Sequence, residues 1–578
     1  MTMSHPALAA GASRRYAPNF WDLFAFGLLF GGLILVIHGG HETLAPLGSL
    51  KTSPVSLDPA RLPEYALRTT MRMLAAMVAS LVFTFLYGTL AAKSRRAEMV
   101  LIPLLDILQS VPVLGFLSFT VVGFMALVPG SVFGVELAAI FAIFTSQAWN
   151  MTFSFYQSLK TVPDDLDEAA RSLRLSAWQR FWRLDVPFSM PGLVWNAMMS
   201  MSGGWFFVVA SEAISVGNTT IALPGIGSYV ALAIERRDLV AVGWAVAAML
   251  AVILVYDQLL FRPLVAWSDK FRAEQSAGQG APRSWVLDIV RRTRLFRIVL
   301  APAGAILASV PAQRLRVPTR RPWRTGEAWR SAWADRLWLA LVVLVSAYAV
   351  WLIGSFVATR LAWSEVAAAV GLGVLTMLRV VVLMVLATVV WVPVGVWIGL
   401  RPRMAERAQP VAQFLAAFPA NIVFPFAVVV IARFGLSPDI WLSPLMVLGT
   451  QWYILFNVIA GASAFPNDLR EAAANFHIHG WSWWRRVILP GIFPYYVTGA
   501  ITASGGSWNA SIVAEIASWG PTTLKAHGLR AYIAEATAAG DYPRIVLGIA
   551  VMSLFVILFN RLFWRPLYAF AGRRLHLD

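Results

Sequence analysis

Four charged side chains fall inside long apolar runs, at two pairs of matched positions. Arg72 and Arg379 lie in corresponding runs of the two halves of the chain, and Glu212 and Glu515 lie near the ends of two other runs. An ionised group inside a membrane segment is costly and usually serves function. A guanidinium there suits contact with an anionic solute. The alternatives are that each arginine reaches the lipid interface or that it pairs structurally with a glutamate.

Two pairs of tryptophans are the other side chains that suit a solute pathway. Trp149 corresponds to Trp452, and Trp205 corresponds to Trp508, each 303 positions further along the chain. Their rings could line a passage between helices. Aromatic side chains of membrane proteins also pack inside the bundle or form a belt at the lipid interface, so both interpretations stay open.

The residues needed for covalent or metal chemistry are missing from the sequence. There is no cysteine, which excludes disulfides, thiolate catalysis and cysteine-bound metals. The histidines are scattered, and His477 and His479 suit a surface loop better than a metal site. None of the five lysines follows a glycine, so the chain has no Walker A loop. We therefore predict no catalytic residue, cofactor or metal in this chain.

One polar segment occurs twice between apolar runs, 303 positions apart. The first copy contains Asp165, Glu168, Ala169, Ala170 and Arg174, and the second contains Asp468, Glu471, Ala472, Ala473 and His477. An Asp or Asn after the preceding proline suits the N-cap of a short helix. Each glutamate should then fall in the first turn, where the helix dipole favours an acid. The two alanines predict a low-relief face for a partner's groove. The alternative is an ordinary amphipathic surface helix.

Composition indicates that membrane helices position these residues. The chain has 578 residues, of which 58% are hydrophobic and 13% are charged, whereas soluble domains carry about 25% charged residues. Apolar stretches of about 20 residues recur along the chain, which is typical of membrane-spanning helices. We predict an all-α polytopic membrane protein of about twelve spans. They lie near 19–38, 70–92, 111–129, 134–156, 191–213, 239–261, 336–358, 375–399, 413–434, 440–461, 491–513 and 544–563.

The net charge of +17 is spread over short segments between the apolar runs. That distribution is typical of cytoplasmic loops, whereas a nucleic-acid binder would cluster its basic residues on a soluble domain. The basic loops at 93–96 and 401–407 place both termini and both polar segments in the cytoplasm. Between the halves, the apolar stretch 298–311 lies among arginines. We interpret it as an interfacial helix near anionic headgroups, with a re-entrant segment as the alternative.

The two halves of the chain repeat each other. Matched pairs lie 307 positions apart upstream, as in Arg72 and Arg379, and 303 positions apart downstream, as in Glu212 and Glu515. Each half has an even number of predicted spans, so the six-helix repeats should be parallel and should build a pathway at their interface. We divide the chain into a first half 1–264 with core repeat 69–263, a linker 265–335, and a second half 336–578 with core repeat 376–566.

At the polar segments, the chain resembles the inner-membrane permeases of ATP-binding-cassette importers. That family's signature is Glu-Ala-Ala, three residues, Gly, nine residues, and an aliphatic-x-aliphatic-Pro ending. Both endings fit, at Leu184-Asp185-Val186-Pro187 and at Val487-Ile488-Leu489-Pro490, whereas Arg174 and His477 occupy the glycine position. The resemblance covers roughly residues 69–263 and 376–566. It implies that the two segments form coupling helices seated in ATPase subunits.

A second set of residues resembles the nitrate, sulfonate, taurine and bicarbonate class of these permeases. It comprises Val208-Val209-Ala210-Ser211-Glu212, Leu223-Pro224-Gly225-Ile226-Gly227 and the Arg-Pro-Leu endings at Arg262 and Arg565. The fused double permease is similar to a duplicated type usually assigned to anions. The second half departs from the class, with Leu524-Lys525-Ala526-His527-Gly528 in place of the Leu-Pro-Gly-Ile-Gly run. The two walls of the pathway are therefore expected to differ.

The resemblance implies a transport subunit of the inner membrane, not an enzyme. Its expected partners are two ATPase subunits that carry ATP and Mg²⁺, an external substrate-binding protein and membrane lipid. The main alternative is a secondary transporter driven by an ion gradient, which needs acidic residues deep in its spans. Asp257 and Asn560 are matched, but they lie near the cytoplasmic end and the asparagine cannot titrate. A receptor or scaffold would leave the duplicated polar segments unexplained.

Overall fold

The apolar runs form long α-helices in the computed structural model, which describes residues 19–43, 46, 55–110, 113–216, 219–271, 284–313, 328–463, 465 and 467–574. Within these ranges, eight helices are long and apolar enough to cross a membrane, or nine if one bent pair counts as a single span. The prediction of an all-α polytopic membrane protein is confirmed. The prediction of about twelve spans is not.

Two of the expected spans correspond to shorter elements. The span expected near 19–38 is instead the 24-residue helix Phe20–Thr43. The span expected near 111–129 is a helix of 15 residues, Val113–Leu127, and residues 111–112 lie outside the described part. The span near 413–434 contains a 3-10 turn, Ala420–Val423, followed by the helix Phe424–Arg433. A helix of 15 residues is about 22 Å long, which is less than the roughly 30 Å of a bilayer's hydrocarbon core.

The elements of the two halves and the linker follow one another in a repeated order. The first half contains α1 Phe20–Thr43, α2 Leu62–Lys93, α3 Arg95–Ser110, α4 Val113–Leu127, α5 Val132–Lys160, α6 Asp164–Ser172, α7 Ala177–Arg180, α8 Val186–Glu212, β1 Ala213–Val216, β2 Thr219–Ala222, α9 Ile226–Glu235, α10 Leu239–Tyr256 and α11 Arg262–Ser268. The linker contains α12 Trp285–Arg292 and α13 Leu295–Ala312. The second half contains α14 Ala328–Arg360, α15 Trp363–Gly399, α16 Pro402–Ala417, α17 Phe424–Arg433, α18 Pro438–Trp441, α19 Leu445–Leu448, α20 Gln451–Ser463, α21 Asn467–Asn475, α22 Gly480–Trp483, α23 Leu489–Ala514, β3 Ile516–Trp519, β4 Thr522–Lys525, α24 Leu529–Ala539, α25 Tyr542–Phe559 and α26 Arg565–Arg574.

The sequence repeat is reproduced in local backbone structure. Antiparallel hairpins follow α8 and α23, with Ala213 opposite Ala222 and Ile516 opposite Lys525. A π-helical turn precedes α8 at Phe181–Asp185, and another precedes α23 at Trp484–Ile488. Such turns are rare and often mark functional positions. Their recurrence at the same offset shows that the two halves share more than a hydrophobicity pattern.

One helix of the repeat differs between the halves. In the first half, α5 runs without a break over 29 residues. Its counterpart in the second half is divided into α18, α19 and α20, with a bend of 43° before Gln451. Pro438 begins α18 and Pro444 precedes α19, and proline cannot donate the backbone hydrogen bond that would continue a helix. The second half therefore has a broken and bent helix where the first half has the continuous helix α5.

The two halves meet along α8. This helix packs against α16 and the 3-10 turn Ala420–Val423 of the second half. The ring of Trp195 stacks on that of Phe456 with centroids 4.9 Å apart. The Asn421 side-chain amide donates to the Phe206 carbonyl at 3.3 Å. Near the hairpins, the Gly520 amide donates to the Ile234 carbonyl at 2.8 Å. The interface therefore combines aromatic packing with hydrogen bonds to main-chain carbonyls.

The apolar stretch of the linker is part of helix α13, which packs against α1 and α7. The buried carboxylate of Asp22 on α1 accepts hydrogen bonds from the amides of Arg294 and Phe296, each at 3.0 Å. A carboxylate at a helix N-terminus satisfies amides that the helix leaves free. Residues 272–283 and 314–327 of the predicted linker lie outside the described ranges.

Candidate functional site

A buried cluster of three charged side chains holds the first half together at the hairpin end. Arg72 on α2 donates to Glu136 on α5 through Nε at 2.6 Å and Nη2 at 2.7 Å. Its Nη1 donates to Glu212 on α8 at 2.7 Å and to the Pro224 carbonyl at 3.0 Å. A forked guanidinium–carboxylate pair is among the stronger polar contacts. We call Arg72, Glu136 and Glu212 the first cluster; it joins three helices.

The second half contains a matching cluster with looser contacts. Arg379 on α15 donates from Nη2 to Asp439 at 2.9 Å and from Nη1 to the His527 carbonyl at 2.5 Å. Its Nη1 lies 3.6 Å from Glu515. We call Arg379, Asp439 and Glu515 the second cluster. The side chain of Asp439 is 39% exposed, whereas that of Glu136 is 3% exposed.

The difference between the clusters has a local cause. Glu136 lies on the continuous helix α5, whereas Asp439 lies on the single turn α18, where the prolines break the helix. Aspartate is also one methylene shorter than glutamate. The second arginine therefore reaches one carboxylate directly and lies farther from the other.

Each cluster glutamate also caps the helix that follows its hairpin. Glu212 accepts from the Gly227 amide at 2.6 Å and from the Thr69 hydroxyl at 2.7 Å. Glu515 accepts from the Arg530 amide at 2.9 Å and from the Thr376 hydroxyl at 2.7 Å. An acid at a helix N-terminus is stabilised by the free amides and by the helix dipole. The glutamates thus tie α8 to α9 and α23 to α24.

The matched positions in the sequence indicated two members of each cluster but not the third. Arg72, Arg379, Glu212 and Glu515 lie where the matched positions indicated, and each arginine is held by carboxylates, as in the structural alternative. Glu136 and Asp439 were not singled out. They are acids 303 positions apart in matched apolar runs. The constant offset between the repeats could therefore have identified both of them from the sequence.

The four tryptophans lie in aromatic or apolar packing. Trp205 meets Tyr256 edge-to-face at 5.7 Å, and Trp149 meets Phe83 in the same way at 5.7 Å. Trp452 lies 4.9 Å from Trp391. Trp508 is buried, and its indole Nε1–H has no acceptor among the described residues. Among these four tryptophans, only Trp508 therefore has a buried indole nitrogen without a hydrogen-bond partner in the described part of the chain.

At the opposite end of α8 and α23 lie the two polar segments, which form the helices α6 and α21. We call these the Glu-Ala-Ala helices. The expected capping by aspartate or asparagine is wrong for α6, because Pro163 is its N-cap and Asp164 and Asp165 are helical. In α21, Asn467 is likewise the first helical residue and Asp468 the second. Glu168 and Glu471 are fifth in their helices, so they lie beyond the first turn where they were expected.

The exposed surface of the Glu-Ala-Ala helices is more apolar than expected. Ala170 and Ala473 face the protein and are buried, so only the first alanine of each pair is accessible. Large apolar side chains are exposed at matched positions instead. Leu173 is 73% exposed and Phe476 is 79% exposed. Each of these side chains lies one residue beyond the end of its helix, where a partner protein could cover it.

The residues that replace the glycine of the signature adopt a conformation that favours glycine. Arg174 has φ +49° and His477 has φ +54°, both in the left-handed region. The Leu175 amide donates to the Ala170 carbonyl at 3.1 Å, and the Ile478 amide donates to the Ala473 carbonyl at 2.9 Å. Each helix thus ends in the left-handed turn that usually contains glycine. The departure from the signature changes the residue but not the turn.

Replacing these two residues by glycine is expected to stabilise the protein. The left-handed conformation costs a residue with a side chain about 1–2 kcal/mol. Substitution by glycine removes this cost, but the greater flexibility of glycine in the unfolded chain offsets part of the stabilisation. We expect Arg174→Gly and His477→Gly each to raise the free energy of unfolding by roughly 1 kcal/mol. The measurement is the Tm of the purified protein. Ser172→Gly, inside α6, is the control and should lower the Tm.

The surroundings of the two Glu-Ala-Ala helices differ in charge. In the first half, Asp167 forms ion pairs with Arg171 and Arg180, and Lys93 lies 2.8 Å from Asp185. In the second half, the corresponding residues cannot form these pairs, and a cavity of about 190 Å³ opens there. It is lined by Arg470, Ala474, Ile478, His479, Gly480 and Trp483. The two helices therefore offer a partner similar shapes but different charges.

Two matched helical repeats that meet along long helices define a membrane transport protein. The chain belongs to the family of binding-protein-dependent transport system inner membrane components, whose model matches residues 63–262 and 391–565. These are the inner-membrane permeases of ATP-binding-cassette importers. The two matched segments agree with the duplication found in the sequence and in the fold.

Several curated permeases are similar to parts of the chain. The nitrate import permease protein NrtB of Leptolyngbya laminosa is 26% identical over 184 residues, which is 32% of this chain and 62% of that protein. The glycine betaine/proline betaine permease ProW of Escherichia coli is 30% identical over 33% of this chain and 50% of its own length. The taurine permease TauC of Escherichia coli is 26% identical over 37% and 74%. The chain spans about 60% of the length of the first of these relatives.

Proposed function

We propose that this chain is the permease subunit of an ATP-driven importer and that the Glu-Ala-Ala helices α6 and α21 each seat one ATPase subunit. The observation that carries the proposal is the pair of matched, exposed apolar side chains Leu173 and Phe476, each beside a left-handed turn on a polar helix. Large apolar anchors surrounded by polar side chains are the usual centres of protein interfaces.

The fold offers a direct mechanical connection from the docking helices to the clusters. α6 is followed by α7, a π-helical turn and the 27 residues of α8, which end at Glu212. A helix of this length extends about 40 Å. A displacement of α6 by an ATPase subunit would move α8 as a rod. Because the first cluster fastens α8 to α2 and α5, the half would rock as one body, as alternating access requires.

The same connection exists in the second half through α21, α22 and α23. In this scheme the Glu-Ala-Ala helices, the arginine-rich linker and both termini face the cytoplasm, following the bias of basic loops. The hairpins then face outward, where an external binding protein would deliver the solute. ATP and Mg²⁺ would be bound by the partner subunits, and this chain would supply no cofactor site.

The solute is proposed to be a small anion or zwitterion. Relatives in several lineages are named for nitrate, bicarbonate, taurine and betaine transport. All four solutes carry a compact group of negatively charged oxygens. The ion-gradient alternative has less support, because Asp257 pairs with Arg262 at 3.1 Å and its matched residue Asn560 cannot carry a proton.

The proposal is tested by co-purification with the ATPase encoded nearest to this chain. Glu168→Arg combined with Glu471→Arg reverses one exposed charge on each Glu-Ala-Ala helix. We expect the recovered ATPase to fall by roughly tenfold or more, because reversed interface charges repel the surface that they formerly matched. Glu235→Arg, an exposed reversal at the hairpin end, is the control. Full ATPase recovery with the double variant would contradict the docking site.

A further inference from the structure

Arg530 is a buried cation that the sequence analysis did not identify. It is the second residue of α24, and its side chain is 0% exposed. Its Nη2 donates to the Trp508 carbonyl at 2.8 Å. Its Nε and Nη1 have no hydrogen-bond partner within the part of the chain that the structure describes. A buried charge without its hydrogen bonds is costly, so this guanidinium requires an explanation.

Glu515, the glutamate of the second cluster, accepts no hydrogen bond from the Arg530 guanidinium. Glu515 accepts from the main-chain amides of Arg530 and Ala531 and from the Thr376 hydroxyl. Its carboxylate attracts the Arg530 guanidinium electrostatically, but it accepts its hydrogen bonds from the helix N-terminus and the threonine. The guanidinium donates instead to the carbonyl of Trp508 on α23.

A third free donor lies on the residue that Arg530 contacts. The indole Nε1–H of Trp508 is buried and has no acceptor among the described residues. Trp508 lies six residues before Ala514, the end of α23, which is roughly 9 Å along the helix axis. The guanidinium therefore lies inside the bundle, about two helical turns from the hairpin.

The first half cannot hold an arginine at the matched position. Gly227 corresponds to Arg530, and its amide makes the same bond, to Glu212. A Cβ at Gly227 would lie 2.2 Å from the Val209 carbonyl oxygen, which is a clash. The extra cation therefore belongs to the second half alone and breaks the symmetry of the two repeats.

The helix that carries Arg530 lies at the interface between the halves. α24 packs against α15, α23 and α25 of its own half and against α4 and β1 of the first half. The parallel repeats are expected to build the solute pathway at this interface. Arg530 therefore lies on an element of that interface, and its guanidinium shares no hydrogen bond with an acid among the described residues.

We propose that Arg530 is an anion-binding residue of the pathway and that it takes a nitrate, bicarbonate, carboxylate or sulfonate group. The inference rests on the proposed function and names the residue that would bind the anionic group of the solute. Guanidinium nitrogens bind flat oxyanions through charge-assisted hydrogen bonds. Nε and Nη1 supply two such donors, and the Trp508 indole supplies a neutral one. The second wall would hold the anion, while the first wall would contribute no matching charge.

The test measures anion binding by the full chain alone, purified in lipid nanodiscs without an ATPase. The Tm is followed as potassium nitrate, bicarbonate or taurine replaces potassium gluconate at constant ionic strength. We expect at least one of the three to raise the Tm with a saturable dependence. Arg530→Gln should raise the half-saturating concentration of that solute by roughly tenfold or more, because a charged hydrogen bond is lost. Arg544→Gln removes an exposed charge from the same half and should leave that concentration unchanged.

Arg530→Lys provides a second variant should the glutamine variant not fold. It keeps the charge but replaces the planar donor group with a single ammonium, so binding should be weaker than in the unmodified chain. The inference is overturned if none of the three solutes gives saturable stabilisation, or if a folded Arg530 variant binds as the unmodified chain does. Because no ATPase is present, Glu168→Arg with Glu471→Arg should still bind the anion, which separates this result from failure of the docking proposal.

Discussion

Arg72→Met is expected to destabilise the protein far more than Arg379→Met, although the two arginines are repeats of each other. Removing Arg72 leaves Glu136 and Glu212 buried without their cation. Breaking a buried ion pair by removing one partner costs about 3–5 kcal/mol. Removing Arg379 costs less, because Asp439 is 39% exposed and Glu515 keeps its other hydrogen bonds. For Arg379→Met we expect a loss of roughly 1–2 kcal/mol.

The measurement is the Tm and the yield of folded protein for the two variants, purified side by side. Arg72→Met combined with Glu136→Gln and Glu212→Gln is the informative control. It removes the unpaired charges, so it should recover part of the lost stability. Equal losses of stability for Arg72→Met and Arg379→Met would contradict the idea that burial makes the first cluster more stabilising than the second.

Leu173→Asp combined with Phe476→Asp is expected to weaken ATPase binding strongly without unfolding the permease. Both side chains are more than 70% exposed, so the folded chain alone loses little packing. In a complex, each would lose an apolar anchor and bury a charge instead. Losing one hot-spot residue costs about 2 kcal/mol or more, so each ATPase subunit should bind its own helix at least roughly 30-fold more weakly.

The expected result is measured by titrating the purified ATPase onto the permease in nanodiscs. Leu173→Met with Phe476→Leu keeps both surfaces apolar and serves as the control, which should bind within a fewfold of the unmodified chain. The single variants compare the contributions of the two side chains to ATPase binding. Phe476→Asp should weaken binding more than Leu173→Asp, because the aromatic ring buries more surface. Unchanged affinity of the double variant would show that these side chains lie outside the interface.

The two halves share a fold but differ in structure at matched positions. The first half has a continuous α5, a tightly paired arginine and a glycine at residue 227. The second half has a broken counterpart of α5, a looser cluster and an unpaired arginine at residue 530. In the proposal above, the second half would supply the charge that binds the anion and the first half would not. Fusion into one chain fixes one copy of each wall in every molecule.

Some properties of this protein depend on residues that are close in sequence, and these were predictable. A membrane helix is recognised from about 20 consecutive apolar residues, and a duplicated segment is recognised from constant offsets. The membrane class, the two repeats and the permease family therefore followed from the sequence. So did the matched positions of Arg72, Glu212 and their counterparts. The left-handed turn at Arg174 did not, because a residue that departs from glycine conceals the backbone conformation that favours it.

The sequence by itself determined that charges lie in matched apolar helices, but only the tertiary structure decided which of them pair. Arg72 and Glu136 are 64 residues apart, and their contact depends on how α2 and α5 rotate about their axes. A rotation by one residue changes the facing side by about 100°, which the offset of a repeat does not specify. Likewise, the sequence contains Arg530, but the free-energy cost of its guanidinium and its proposed role in anion binding both depend on its burial. Burial is a property of all the helices packed around Arg530, not of the residues beside it in the chain.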